Sequence, residues 1–337
     1  MLAQGPEVEA FEHEFSQQVA GGRPVVAVNS GTSGLHLSLL ALGIGPGDEV
    51  IVPSFTFAAT ANSVALTGAK PVFADISLND FCLDPASVES LITPRTAAVM
   101  PVHLYGHPAP MKGIQEIANR HHLLILEDAA QAHLAELDGQ PVGTFGSAST
   151  FSLYPTKNMT SGEGGMVVCE NDDVARRVKL LRNQGMEKQY ENEVVGLNNR
   201  MTDLHAAIGR VQLRKLRKWT QKRQENAHYL SEGITAVQTP SIAPGAQHVF
   251  HQYTIRVESD RDQFMSSLRE DYGVGCGVYY PIPNHLLPSL ESFGLNSVLP
   301  QTIQAAKQVV SLPVHPSLSR THLRKIVTAV NELGGRS

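Results

Sequence analysis

The sequence predicts an α/β protein, with a large domain built on a mostly parallel sheet over residues 1–222 and a smaller α+β domain over residues 223–337. Three observations carry this reading. Between about Pro24 and Gly165, short apolar runs alternate with stretches of helical periodicity. The apolar runs are continuous rather than alternating with polar residues, which suits strands covered on both faces, as in parallel sheets. After Thr202 the pattern changes to one long helical stretch followed by shorter, mixed elements.

Element by element, Pro24–Val28 reads as the first strand and Ser33–Leu42 as a helix that starts just after a Ser-Gly-Thr turn. Glu49–Val52 is the next strand, followed by a helix from about Ala58 to Leu66. Pro71–Ala74, Ala97–Val102 and Leu123–Leu126 are further buried strands, the last two separated by a helix around Met111–His121. Thr150–Ser152 and Gly165–Cys169 form a later adjacent pair. Asp203 to about Ser231 reads as one helix with Thr202 as its N-cap. Beyond it, His251–Val257 alternates like a strand, Asp262–Tyr272 is helical, Val278–Tyr280 is a short strand and Thr321–Glu332 a final helix. The division after residue 222 is soft because the long helix crosses it.

The composition bounds the function. With 337 residues, 42% hydrophobic and 18% charged, the chain can build an ordinary core and is not a disordered segment. A net charge of -5 argues against a nucleic-acid partner. The basic run Arg214–Lys218 suits the wet face of a helix. Cys82, Cys169 and Cys276 are odd in number, far apart and without a CxxC pair. That excludes a disulfide scaffold and a cysteine zinc site, and fits a reducing cytoplasm. No apolar run reaches the ~18 residues of a membrane span, and no secretory h-region opens the chain. The histidines show no HExxH or similar ligand spacing, so no metal site is expected.

Three segments carry chemistry. Asn29–Gly34 lies between a strand and a helix, where exposed amides and small hydroxyl side chains can hold a phosphate, or can simply make a tight junction. It has neither the Gly-Lys-Ser/Thr of a nucleotide loop nor GxGxxG. Asp128 follows the most hydrophobic strand, at the end where α/β proteins bind ligands; an N-cap role is the alternative. Lys157 sits in a loop rich in Pro, Gly and Ser, a poor place for a stabilising lysine. In a crevice it can lose its proton and attack a carbonyl; at the surface it would be a solvated side chain. Together, a phosphate cup, a carboxylate for a pyridine nitrogen and a Schiff-base lysine are the parts of a pyridoxal 5'-phosphate site.

In this order the segments resemble those of the DegT/DnrJ/EryC1/StrS aminotransferases, which act on nucleotide-linked keto-sugars. The matching stretches are Gly5–Glu12, Asn29–Leu37 (NSGTSGLHL), Pro53–Asn62 (PSFTFAATAN), Pro101–Gly106, Glu127–His133 (EDAAQAH), Thr150–Gly165, Gly196–Ala207, Tyr280–His285 and Ser311–Leu318. They span nearly the whole chain. The resemblance implies the fold-type I architecture of pyridoxal phosphate-dependent transferases and a homodimer with shared active sites. It implies roles for individual residues as well. Lys157 would carry the cofactor and shuttle protons, Asp128 would keep its ring nitrogen protonated, and Gln131 would approach its 3-hydroxyl. Phe57 would stack on the ring. Thr32, Ser33 and Ser152 would bind the phosphate, with Asn198 reaching it from the other subunit and Arg200 a second candidate there. Tyr280 and His285 would touch substrate.

Relatives with histidine in place of this lysine are dehydratases, a branch that Lys157 argues against. The reaction implied is amino transfer from glutamate to the keto-sugar. A cofactor-binding sensor without turnover is the alternative, and desulfuration is disfavoured because no cysteine lies in a catalytic setting. Only Met1–Gln4 precede Gly5, where relatives carry a longer stretch that shapes the substrate pocket; this implies a more open site, a misassigned start or a shortened chain.

Overall fold

Seven strands form the central sheet of the computed structural model, which describes residues 2–335. They are β1 (Val25–Val28), β2 (Glu49–Pro53), β3 (Lys70–Ala74), β4 (Thr96–Val99), β5 (Leu124–Asp128), β6 (Ala148–Ser152) and β7 (Gly165–Cys169), in the order β1-β7-β6-β5-β4-β2-β3. All run in one direction except β7, which is antiparallel to both β1 and β6. Every residue of β1, β2, β6 and β7 is buried. Covered faces on both sides explain why these strands read as continuous apolar runs.

The register places the site. Val28 and Ser152 both pair with Gly165, and Asp128 pairs with Thr150. The C-terminal ends of β1, β5 and β6 therefore lie side by side, and the segments that follow them share one edge. The helix Gly31–Ala41 leaves that edge with Ser30 as its N-cap, the Ser30 hydroxyl accepting from the Ser33 amide at 3.1 Å. Gly34 lets this helix lie against the sheet, since a Cβ there would meet Thr150 Cγ2 at 2.5 Å.

On one side of the sheet, Phe11 and Phe15 of the helix Pro6–Gln18 pack with Phe151, Met166, Ala206 and Leu213. Elsewhere Ile114 and Ile117 of the helix Met111–His121 pack with Ile51 and Val99. The 31-residue helix Asp203–Gly233 is capped by Thr202, as expected. Its first half belongs to the Phe11 core; Ala227 and Leu230 belong to another, with Tyr253, Ile255, Leu268 and Ile326. That second core covers an antiparallel pair, β8 (Tyr253–Arg256) and β9 (Val309–Leu312), backed by the helices Arg261–Glu270 and Arg320–Gly334. The helix Pro300–Gln308 returns Ala305 and Ala306 to the core around Ile51. No helix among the described residues is long and apolar enough to cross a membrane.

One expected strand is absent. Val278–Tyr280 is a loop; the bridge to β9 stops at the preceding residue, Gly277 with Ser311, and Tyr280 has a left-handed φ of 63°. Pro281 follows directly and has no N–H to extend a ladder. The tyrosine ring is held by tertiary contacts instead. The apolar run at Ala97–Val102 is likewise shorter as a strand, ending at Val99.

Gly34→Ala should cost about 1–3 kcal/mol in urea unfolding, because the added methyl must push helix from sheet. Gly275→Ala, with open space around it and no positive φ, should stay within about 0.5 kcal/mol of the parent.

Candidate active site

Asp128, the last residue of β5, is 5% exposed. Its Oδ2 accepts from the Thr60 hydroxyl at 2.8 Å and its Oδ1 from the Ala130 amide at 3.1 Å. Thr60 stands in the first turn of the helix Ala59–Leu66, which follows β2. Burial pushes the Asp128 carboxyl above its ordinary 3.8, while Thr60, Ala130 and the Lys157 charge pull it back. Lys157 is half-buried in the loop after β6. Its setting pushes the ammonium below its ordinary 10.5, and the Asp128 charge opposes that. The two expected chemical groups thus meet as an opposed pair across the strand ends.

The expected phosphate residues also converge. Ser152 ends β6, and the Cβ that Gly31 lacks would lie 2.9 Å from Ser152 Cβ. Gly165 is equally obligatory, since its Cβ would meet the Ser30 carbonyl oxygen at 2.6 Å. These close approaches bring the helix N-terminus, with exposed Thr32 and half-buried Ser33, against Ser152. First-turn amides have no carbonyl partner within their own helix, so this junction presents N–H and hydroxyl donors at a positive helix end.

Gln131 is buried and fully oriented: its Oε1 accepts from the Tyr105 amide and its Nε2 donates to the Tyr280 hydroxyl, both at 2.7 Å. Tyr280 stacks on Tyr105 with ring centroids 6.3 Å apart, and feels the Asp128 charge. Phe57 is 62% exposed, three residues before Thr60, available to cover a ligand. His285 stands apart from this cluster. It is buried, with Nδ1 2.6 Å from the Ser54 hydroxyl and its ring tilted against Phe73. Asn198 is exposed and accepts from Arg200 Nε at 2.9 Å, while the adjacent Asn199 carbonyl accepts from the Asn29 amide.

Sequence reasoning assigned no role to Thr60, Tyr105, His103 or Glu127. Glu127 has no exposed surface and accepts from the amides of Gly143, Phe145 and Gly146 at 2.7–2.9 Å and from His103 Nε2 at 3.1 Å. Its position was the available signal: a carboxylate inside a buried strand needs donors from elsewhere.

In the cofactor-free protein, burial makes ionising Asp128 harder in the folded chain than in the unfolded one. That penalty is absent below the ordinary 3.8, grows as pH rises through the raised folded value, and is then constant. The thermal midpoint of Asp128→Asn minus that of the parent should therefore be near zero below the ordinary 3.8, turn positive as pH rises toward the raised folded value, and level off above it. Melts followed by circular dichroism check this, and a flat or negative difference contradicts the assigned burial.

The sequence profile of the DegT/DnrJ/EryC1/StrS aminotransferase family matches residues 1–331. A pleiotropic regulatory protein of Geobacillus stearothermophilus is 42% identical over 314 residues, covering 91% of this chain and 84% of its own length. The dTDP-3-amino-3,4,6-trideoxy-alpha-D-glucose transaminase of Streptomyces venezuelae is 42% identical over 337 residues, covering 98% of this chain and 88% of its own. The crystal structure of S. venezuelae DesV, solved in complex with a ketimine intermediate, superposes with a TM-score of 0.95 at 41% identity, covering 100% of this chain and 91% of that one. The chain belongs to the DegT/DnrJ/EryC1/StrS aminotransferase family.

Proposed function

We propose that this protein transfers an amino group from glutamate to a nucleotide-linked keto-sugar, using pyridoxal 5'-phosphate held at Lys157. The observation that carries the reading is the opposed Asp128 and Lys157 beside a helix N-terminus that Gly31 and Ser152 bring into close contact. The donor set fits the cofactor: hydroxyls and amides for a phosphate, an anion for a ring nitrogen, an amine for a carbonyl. The 42% identical dTDP-sugar transaminase supports the substrate class.

When bound, pyridoxal 5'-phosphate supplies an electron sink and a carrier for the amino group. Lys157 would hold it through Nζ, whose depressed affinity for protons favours the nucleophilic amine. Once released, the same Nζ would, in each half-reaction, move the proton between the substrate carbon and the cofactor. Asp128 would hold a proton on the ring nitrogen, with Thr60 and Ala130 fixing the carboxylate plane. Thr32, Ser33 and Ser152 would hold the phosphate, Gln131 the 3-hydroxyl side, and Phe57 would exclude water from one ring face. Tyr280 accepts from Gln131 and so keeps its own proton to donate to substrate. His285 lines a separate cleft of about 700 Å³ with Arg261, Leu299 and Lys307, so any contact it made with substrate would lie away from the reacting carbon.

The working unit we propose is a homodimer in the cytoplasm, with Asn198 and Arg200 completing the partner's phosphate site. Leu204, Ile208 and Val211 form an exposed stripe at helical spacing, and Val195 is 94% exposed nearby in sequence; such apolar surface suits a permanent contact. The three free cysteines suit a reducing compartment. A sensor without turnover is the second reading, favoured by the name of the Geobacillus relative.

Borohydride reduction of the cofactor-loaded protein should tag Lys157 in peptide maps, and glutamate should shift the absorbance to that of the pyridoxamine form. Label on another lysine ends the assignment; label without a glutamate response leaves the sensor. The shared site is tested by mixing Lys157→Ala subunits with subunits carrying Asn198→Ala and Arg200→Ala. If each parent is nearly inactive, exchange should restore activity, because one of the two sites in a heterodimer then carries no lesion. Verified exchange without recovery would sink the shared-site claim.

A further inference from the structure

We propose that Asn158 is a positioning residue for Lys157, fastening the lysine loop to the segment Val249–His251; this rests on the reading above that Lys157 carries the cofactor. Tyr154, Pro155 and Thr156 are exposed, and the hydrogen bond of Lys157 among the described residues runs from its backbone amide to the Tyr154 carbonyl at 3.0 Å. Its neighbour is different. Asn158 is 5% exposed, its Nδ2 donates to the Val249 carbonyl at 3.2 Å, and its Oδ1 lies 3.3 Å from His251 Nδ1. A carbonyl can only accept, so Nδ2 is committed to Val249 and Oδ1 must accept from the ring. His251 therefore carries its proton on Nδ1.

The anchor is itself well held. The Val249 amide donates to the Gly106 carbonyl at 3.0 Å and the Gln252 amide to the Tyr105 carbonyl at 3.2 Å. Arg223 donates to the Phe250 carbonyl at 3.1 Å. Gly106 permits this contact, since a Cβ there would meet Val249 Cγ2 at 2.8 Å. The Tyr105 turn also supplies the amide that orients Gln131. Lys157 and Gln131 are thus referenced to one rigid segment, which leads into β8. Burial drives His251 well below its ordinary value, so this anchor stays neutral beside the lysine; Asp128, His133, His248 and Arg223 are the other titratable groups around the pair. Reaction rates are steep in misplacement: a shift of about 1 Å can cost a hundredfold.

The test uses the cofactor-loaded protein with Asn158→Ala, His251→Leu and His251→Asn. The last keeps the donor, because an asparagine amide nitrogen takes the place of imidazole Nδ1. Asn158→Ala and His251→Leu should slow the glutamate half-reaction at saturation roughly tenfold to a hundredfold and alter the visible circular dichroism of the bound cofactor. Half-saturating glutamate should change less than about threefold, and His251→Asn should stay within about threefold of the parent rate. Borohydride labelling of the parent accompanies the series. A labelled parent with an unaffected Asn158→Ala, or a His251→Asn as impaired as His251→Leu, overturns this inference alone. A parent that takes no label at Lys157 overturns it together with the cofactor assignment. Should Asn158→Ala fail to fold, the two His251 variants decide the question by themselves.

Discussion

Glu127, with no exposed surface, accepts four hydrogen bonds: three from backbone amides of the turn Gly143–Gly146 and one from His103. His103 Nδ1 accepts from the Ala109 amide, so its single proton sits on Nε2 and points to Glu127. Filling the acceptor sites this completely offsets much of the cost of burying the carboxylate. Each donor belongs to a segment that feeds the site. The Gly143–Gly146 turn leads into β6, hence to Ser152 and Lys157. The segment closed by His103 and Ala109 carries Tyr105, which orients Gln131. Glu127 itself precedes Asp128. One carboxylate outside the reacting groups therefore sets the relative placement of Ser152, Lys157, Gln131 and Asp128. Gly146 shows how tight the arrangement is, since a Cβ there would lie 2.3 Å from the Ile125 carbonyl oxygen.

The opposed pair Asp128 and Lys157 follows from that frame. Burial makes each charge costly, and each lessens the other's cost. His133 packs edge-on against Phe15 and is pushed down to about 3, first by burial and then by the lysine charge. Histidine there behaves as an aromatic floor and adds no competing cation. A lysine with one nearby anion and neutral surroundings is well suited to change its protonation state during a reaction.

How much of this was legible in the sequence depended on the range of the interaction. The strands of the main sheet, the Thr202 cap and the helix Met111–His121 depend on local pattern, and the sequence shows them directly. Asp128, Ser152 and Ser33 could be brought together because strand ends in a parallel sheet share an edge. Thr60, His103 and Asn158 act through partners far away in the chain, so nothing near them in sequence betrays the bond. The misread at Val278–Tyr280 has the same origin. A local run suited to a strand was overridden by Gln131, 149 positions away, and by the Tyr105 ring.

The helix Asp203–Gly233 has a mechanical consequence. At 31 residues it is about 46 Å long, and its two halves are embedded in different cores. A continuous helix resists bending sharply unless proline, a bulge or an inserted group interrupts it, and its sequence contains no proline. It therefore acts as an axle shared by both sheets. A tilt of roughly 5° about its middle would carry either end about 2 Å, so a displacement of the β8–β9 sheet cannot stay local. The rod converts it into a coordinated shift of everything mounted on its other half, including the Phe11 core beneath the strand ends.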